Sequence, residues 1–554
     1  MSALDKTPII VWHRWIKTEK VPRVKINTKL SPCLPVGVGK DGLAAMYRIT
    51  QKLSCDVLVL GAGGAGLTAA VRAAQSGRQV IVLEKTEHPG GSMGYANFTR
   101  VFDSCWQAER GLVCRTADYL RAVQDRADWQ FRPALASAAV RTTGVVFDWL
   151  TDMNPALGEE VVVGKYIFPA PFEPEGPQSP RGAEKNLGTL AQETLLAACE
   201  RYDVPVMTGC EAVDAETEDG ALTAVIAMNE HGYMRIACGA CVIATGSWSA
   251  NRKLVAELCP QFDPRTQDMT PHIDRTMTGD GLVIAQAAGA ELDRAGMCMH
   301  FIRTTGIRRD PVLRTLMRSP AQITVNVNGE RFCSEPISRL GRSGGGFIQM
   351  AQPYGISYCV FDRDSLQAAC TMPPVEPDNL ERTYDRTELP ENADELIRLL
   401  EGIRREEPKT VFRGESLEEL ADCLGVDKPV FLNTVRDYND CCETGSDPDF
   451  VKTSGTMVPL RTAPFYAVRV TADLLGATGG VKIDEHMRVV DADGEPIAGL
   501  YAAGDIASGG SLRNGSEEIR LLNSLAWALS GGYMAGTEAA ELAETLCNSH
   551  VEVT

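Results

Sequence analysis

The chain has 554 residues, more than one core usually holds, so two or more domains are expected. A hydrophobic fraction of 44% suits globular packing, and a formal net charge of −18 argues against nucleic acid or an anionic membrane as an electrostatic partner. The first twenty residues, MSALDKTPIIVWHRWIKTEK, carry neither a signal-peptide pattern nor a membrane-length apolar run, and the 17 cysteines lack framework spacing. The expectation is a reduced, cytoplasmic protein without membrane insertion.

Residues 1–54 are poorly patterned, with Trp12, Trp15 and a basic run from Lys17 to Lys29, and read as an N-terminal extension. Residues 55–85, CDVLVLGAGGAGLTAAVRAAQSGRQVIVLEK, then give an apolar strand, a glycine-rich turn, a helix, a second apolar strand and an acid. Gly61, Gly63 and Gly66 form G-x-G-x-x-G, which permits a tight turn, close backbone approach to a pyrophosphate and close helix–strand packing. The helix start that follows, at Gly64 and Ala65, presents free N–H groups to a phosphate. Glu84 closes the second strand where an acid accepts hydrogen bonds from a ribose diol, with Lys85 beside it.

Helical patterns follow at 117–150 and 187–202, separated by a proline-rich loop at 169–181. Short strands then alternate with turns up to Gly246. Cys238 and Cys241 make a C-x-x-C in RIACGACVIATG, but the run reads as a buried strand entering a glycine turn, with no second pair to complete a metal site. Between 292 and 459 the texture changes to helical stretches at 393–407 and 417–424 with few strand runs, which suggests an inserted domain. After Phe465 strand and turn signals return, and an alanine-rich helix is expected over 522–546.

Five further segments occur in a fixed order: VIATGSWSANRKL, TGDGLVIAQAAGAEL, NVNGERFCSE, TVRDYNDCCETGSDPDFVK with PFYAV, and PIAGLYAAGD. Together with the glycine fingerprint they resemble the flavoprotein subunits of the fumarate reductase and succinate dehydrogenase superfamily, which includes soluble fumarate and urocanate reductases and ketosteroid dehydrogenases. The resemblance implies an α/β fold: a discontinuous Rossmann-like FAD-binding domain (55–291 and 460–554) with an inserted α+β capping domain (292–459) that clamps the substrate. It also implies that Gly90, Gly91 and Ser92 lie along the flavin, that Thr245 and Gly246 form the adenine-side turn, and that Asp280 of the TGDG segment and Gly504–Asp505 contact the cofactor. Asn523, Ser524 and Leu525 open the last helix, whose N-terminal end stabilises negative charge on a reduced flavin. Membrane-bound relatives attach FAD through a histidine just before a glycine pair. GGSMGYANF offers none here, and His88 lies upstream, so noncovalent FAD is expected.

Flavin reduction of an activated alkene needs a proton donor beside the hydride source. In soluble fumarate reductases the donor is an arginine four residues after the Glu of an R-F-x-N-E segment. Arg331, Phe332 and Glu335 match that segment and Arg339 falls at the donor's place. A free guanidinium has a pKa above about 12 and needs a relay. Arg318 matches the relay's second arginine, while Thr315 stands where its glutamate belongs, with Arg314 beside it. Arg339 either shuttles the proton or binds a substrate anion. The dicarboxylate enzymes' H-G-x-N-R-x-G-G-N clamp is replaced by GGSLRNGSEEIRLLNSLAWA, where Arg513 or Arg520 remains to bind an anionic group. His300, in CMHFIRTT, resembles a substrate histidine.

These departures argue against a C4 dicarboxylate. The expected function is FAD-dependent reduction of an α,β-unsaturated carboxylate or carbonyl compound. The alternatives are a desaturating dehydrogenase of a ketone such as a 3-ketosteroid, and a noncatalytic electron-transfer subunit. No second nucleotide fingerprint, haem-attachment motif or iron–sulfur cysteine run is present, so an external electron donor or acceptor is implied.

Overall fold

In the computed structural model the described residues are 47–165, 175–179, 185–258, 269–271, 276–293, 297–304, 310–336, 342–373, 389–514 and 517–551. The first half of the chain supplies β1 (Ile49–Leu60), α1 (Gly64–Gln75), β2 (Val80–Leu83), α2 (Thr116–Arg126), α3 (Pro133–Met153), α4 (Leu187–Arg201), β3 (Val206–Met207), β4 (Glu211–Glu218), β5 (Ala221–Asn229), β6 (Gly232–Ile243), β7 (Met269–Pro271) and α5 (Asp280–Ala287). Next come β8 (Met297–Thr304), α6 (Pro311–Leu316), β9 (Ile323–Asn326), α7 (Arg342–Met350), β10 (Ile356–Phe361), α8 (Ala393–Glu406), β11 (Val411–Gly414), α9 (Leu417–Leu424), α10 (Lys428–Thr444) and β12 (Phe465–Thr478). The chain closes with β13 (Arg488–Val490), β14 (Pro496–Ala502), β15 (Ser511–Asn514), β16 (Glu517–Arg520) and α11 (Ser524–Val551).

The first sheet has eight strands. Its core is parallel, running β3, β2, β1, β6, β14, with Val59 beside Val82 on one side and Val242 on the other, and Tyr501 beyond. Strands buried on both faces read as continuous apolar runs, as VLVL at the end of β1 does. β4 and β5 fold back onto β6 as an antiparallel meander. Helix α1 is the crossover between β1 and β2, and α11 lies along it. That approach is backbone-close: a Cβ added at Gly532 would lie 2.3 Å from the Ala65 carbonyl oxygen, and one at Gly536 would lie 2.4 Å from that of Ala69.

The second sheet has six strands, ordered β8, β12, β10, β9, with β11 and β7 also paired to β12. Strand alternation divides its two cores. Phe361, Tyr466 and Val468 face Leu316, Leu396 and Leu400 of α6 and α8, whereas Val360, Phe465 and Ala467 face Leu420, Phe431 and Val435 of α9 and α10. Burying the apolar stripe of each helix against one apolar face of the sheet is what fixes this layer.

Several sequence expectations shift. β1 begins at Ile49, inside the expected extension, because Gln51–Ser54 pair with β6. The 117–150 pattern is two helices, broken where Asp128 and Trp129 take positive φ and Pro133 starts α3. Within the expected proline-rich loop, Glu175–Gln178 pairs with Val162–Lys165 as a short hairpin. The inserted region holds four strands of the second sheet, and β12, which pairs with β8, β10 and β11, begins five residues past the expected boundary at 460. Cys238 and Cys241 sit in β6 as expected of a buried strand, and being three apart they point to opposite faces. Trp12, Trp15 and the basic run lie outside the described residues.

Candidate functional site

A cleft of about 1060 Å³, open to solvent, lies at the C-terminal ends of the parallel strands, the usual ligand position of such sheets. Its floor is Leu60, Gly61, Gly63, Gly64 and Ala65. Gly61 has φ +99, and a Cβ there would meet the Ala244 oxygen at 2.5 Å, so the turn out of β1 requires glycine. Gly66 does not line the cleft; an added Cβ would lie 1.8 Å from the Gly61 oxygen, which makes it the residue that seats α1 on the turn. At Gly63 an added Cβ meets nothing within 4 Å. Protein packing therefore leaves open space over the start of α1, where the free N–H groups and helix dipole favour an anion.

Glu84 also lines the cleft and is 9% exposed. Its Oε2 accepts the Ala62 N–H at 2.9 Å, and its Oε1 accepts the Thr86 N–H and Oγ, both at 2.9 Å. A carboxylate has about four acceptor positions, so capacity remains for a diol. Lys85 donates to Asp280 Oδ2 and to Thr278 Oγ1, each at 2.6 Å, and Thr278 Oγ1 donates to Asp280 Oδ1 at 2.7 Å. Both oxygens of Asp280 are thus engaged by protein at the cleft wall.

Of the other expected cofactor residues, Gly91, Ser92, Thr245, Gly246, Gly504 and Asp505 line the cleft, as do Ser524 and Leu525 at the start of α11. Gly90 and Asn523 do not line it. Gly90 N–H donates to the Ala62 oxygen at 2.8 Å and docks the second glycine segment on the first. Asn523 accepts the Arg100 N–H and donates to the Phe98 oxygen, each at 2.9 Å, which clamps a neighbouring loop. The sequence reading missed Cys210, Glu211 and Ala212, which line the cleft because Cys210 N–H bonds the Glu84 carbonyl at 2.9 Å. Met93, Ala96, Thr276, Met277 and Ala528 were also missed, and their apolar or small side chains carry no motif.

The expected substrate residues are less gathered. Arg339 lies outside the described residues, and only the backbones of His300, in β8, and Arg513, in β15, are described. Arg520 ends β16 and donates from Nη1 to Ser524 Oγ at 2.6 Å, at the edge of the cofactor cleft. Arg318 follows α6, half-buried, its N–H on the Thr315 oxygen at 3.0 Å.

The R-F-x-x-E segment forms a buried ion cluster. Arg331 donates to Glu335 Oε1 at 2.9 Å and Oε2 at 2.8 Å, and to Asp447 Oδ2 at 2.9 Å. Lys452 lies 3.5 Å from Glu335 Oε2 and also donates to the Gln322 oxygen. The guanidinium carbon stands 4.4 Å from the Phe450 ring centroid and 5.1 Å from that of Tyr438. Burial alone raises the Asp447 carboxyl, but the Arg331 hydrogen bond and charge outweigh it and the net shift is downward. Burial dominates at Lys452, whose ammonium is shifted down.

A glycine turn, a helix start and a buried acid gathered at the C-terminal ends of parallel strands define the dinucleotide-binding class of site. The family described as "FAD binding domain" matches residues 56–516. The chain is 26% identical over 475 residues to the vinyl phenol reductase of Lactiplantibacillus plantarum, covering 82% of this chain and 90% of that one. It is 28% identical over 550 residues to the 4-oxocyclohexanecarboxylate 2-dehydrogenase of Sinomonas cyclohexanicum, covering 82% and 88%. The solved open conformation of a flavocytochrome c3 fumarate reductase superposes with TM-score 0.67 at 21% identity, covering 92% of this chain and 82% of that one. The chain belongs to this FAD-binding family, within the fumarate reductase and succinate dehydrogenase flavoprotein superfamily, and is an FAD-dependent oxidoreductase.

The residues present fit FAD. The open space over Gly63 accommodates a pyrophosphate, and Thr245 Oγ1 is a buried cleft hydroxyl without a hydrogen-bond partner among the described residues. Among the described residues no helix is long and apolar enough to cross a membrane.

Proposed function

We propose that the protein reduces an activated C=C bond of an α,β-unsaturated carboxylate or carbonyl compound, using noncovalently bound FAD. Gly61–Ala65 and Glu84 hold the cofactor's pyrophosphate and ribose; GGSMGYANF supplies no attachment histidine. FAD held there, once reduced by an external electron donor, would supply hydride to one alkene carbon. Arg339 donates the proton to the neighbouring carbon, with Arg318 in its relay. The observation that carries this reading is the buried Arg331–Glu335 pair, which fixes the chain two residues before the segment 337–341 that bears Arg339. The segment GGSLRNGSEEIRLLNSLAWA, in which β15 and β16 pair as a hairpin, has no histidine to match the dicarboxylate enzymes' clamp, which favours an enoate or enone with a single activating group over a C4 dicarboxylate.

The test is anaerobic re-oxidation of the dithionite-reduced holoenzyme by acrylate-type enoates, cyclic enones and a vinyl phenol. At least one alkene is expected to restore the oxidised flavin spectrum stoichiometrically, and Arg339→Lys is expected to slow that turnover about a hundredfold or more while leaving dithionite reduction unchanged. A raised KM with unchanged kcat would mean that Arg339 only binds an anion. A second reading, desaturation of a cyclic ketone, draws support from the likeness to the 4-oxocyclohexanecarboxylate dehydrogenase. Flavin reduction by saturated cyclic ketones, with no alkene able to re-oxidise it, would establish that direction.

A further inference from the structure

Two buried indoles converge on one short stretch of the cofactor cleft. Trp248, 0% exposed, donates its Nε1–H to the Gly479 oxygen at 2.9 Å, and the Gly479 N–H donates to the Asp505 oxygen at 3.0 Å. From the other side Trp527, 2% exposed, donates its Nε1–H to the Gly504 oxygen at 2.9 Å. Gly504 and Asp505 both line the cleft, and neither tryptophan does. Ser247 strengthens the first arm by accepting the Ala477 N–H on its Oγ at 2.8 Å.

An indole has a single donor, so each ring commits its one polar group to one carbonyl. A glycine makes room for the second ring: a Cβ at Gly510 would lie 2.7 Å from Trp527 Cε2. Because a peptide unit is planar, fixing the Gly504 and Asp505 carbonyls also fixes the N–H groups of Asp505 and Ile506. The stretch is therefore held by two hydrogen bonds, from Trp527 to the Gly504 oxygen and from the Gly479 N–H to the Asp505 oxygen, with Trp248 fixing Gly479 in turn. Trp248 belongs to the turn after β6, and Gly479 follows the end of β12, so one arm also ties the second sheet to the cofactor cleft.

We propose that Trp248 and Trp527 are positioning residues for FAD, acting through the carbonyls of Gly479 and Gly504 to hold Gly504–Asp505 in place. This rests on FAD binding and is independent of which alkene or ketone is the substrate. The experiment compares Trp248→Phe and Trp527→Phe holoenzymes with Trp106→Phe. Trp106 is the control because it makes a bond of the same kind, to the Gly158 oxygen at 3.3 Å, and does not line the cleft. All three variants are expected to melt at lower temperature. Only Trp248→Phe and Trp527→Phe should release FAD faster on dilution, by about fivefold for the loss of one buried hydrogen bond, and should shift the flavin midpoint potential and visible band. Melting lowered as in Trp106→Phe, with FAD release, potential and spectrum at wild-type values, would overturn the proposal. If Trp248→Phe does not fold, Ser247→Ala, which removes the acceptor shared by the Ala477 and Ser249 N–H groups, is read by the same measurements with the same two outcomes.

Discussion

The two sheets manage polar groups in opposite ways. The cofactor cleft is built largely from backbone: glycine turns, the start of α1, and a few side chains such as Glu84, held by the Ala62 and Thr86 N–H groups and the Thr86 hydroxyl. Beside the second sheet, Arg331, Glu335, Asp447 and Lys452 are buried as two cations and two anions drawn from distant segments. The first arrangement is intolerant of added atoms, the second of lost partners. Substitutions should therefore fail for different reasons on the two sides.

The largest effect is expected where an ion is orphaned. Arg331→Met leaves Glu335 and Asp447, whose side chains are 0% and 1% exposed, without their shared partner. Breaking such a pair costs about 3–5 kcal/mol, whereas replacing the whole cluster by apolar groups of similar volume costs far less. Denaturant unfolding of Arg331→Met beside an Arg331→Met, Glu335→Leu, Asp447→Leu, Lys452→Met variant measures the difference; equal destabilisation would show that volume, not charge, governs the site. The pH dependence has a definite sign. The Asp447 carboxyl is lowered in the folded state, so its contribution is present above the ordinary value of 3.8 and is lost as pH falls through the folded value. Arg331→Met should remove that acid-range slope.

On the cofactor side the next effect is steric. Gly66→Ala places a Cβ 1.8 Å from the Gly61 oxygen, a backbone atom that cannot rotate away. Moving α1 or the turn costs about 3 kcal/mol, and either shift displaces the N–H groups over which the pyrophosphate sits. The protein should purify colourless or with substoichiometric flavin. Gly63→Ala, with nothing of the protein within 4 Å of the added atom, should keep its melting temperature without FAD and lose affinity only for the cofactor. If Gly63→Ala instead destabilised the cofactor-free protein as much as Gly66→Ala, the division between packing glycine and ligand glycine would be wrong.

The same contrast decides what a single sequence discloses. Residues 55–85 carry strand, turn, helix, strand and acid within one contiguous unit, because a backbone-built site is encoded by spacing. Helices α8 and α9 were legible from their own amphipathic period, and α9 has the expected bounds of 417–424. Strands β9 and β11, four residues each, were not, since a run that short gains its conformation from pairing with a neighbour far along the chain. The same holds for β12: nothing in PFYAV states that it opens the strand to which four others pair. Asp447 and Lys452 belong to the segment TVRDYNDCCETGSDPDFVK, but their partnership with Arg331 and Glu335 is a tertiary fact. Arg520 was read as a candidate anion site, and its bond to Ser524 depends on how β16 meets α11.

The smallest expected effect lies at the far edge of the first sheet. His486 Nδ1 lies 2.8 Å from Glu538 Oε1, linking the turn before β13 to α11, with side chains 49% and 33% exposed. The hydrogen bond to Glu538 is the largest influence on the imidazole and raises its pKa above 6.5. The raised folded value fixes the sign: the pair's contribution is fully present below the ordinary histidine pKa and is lost as pH rises through the folded value. Solvent screens a pair this exposed, so the contribution is a few tenths of a kcal/mol. His486→Gln retains a side chain able to bond Glu538 but does not titrate. Melting temperature should therefore fall by about a degree between pH 6 and 8 in the wild type, relative to the variant, and the difference should shrink at about 1 M salt, where the Debye length is ~3 Å. A difference that persists undiminished at high salt would place the effect in packing at Met487, which is buried with φ +61, rather than in the ion pair.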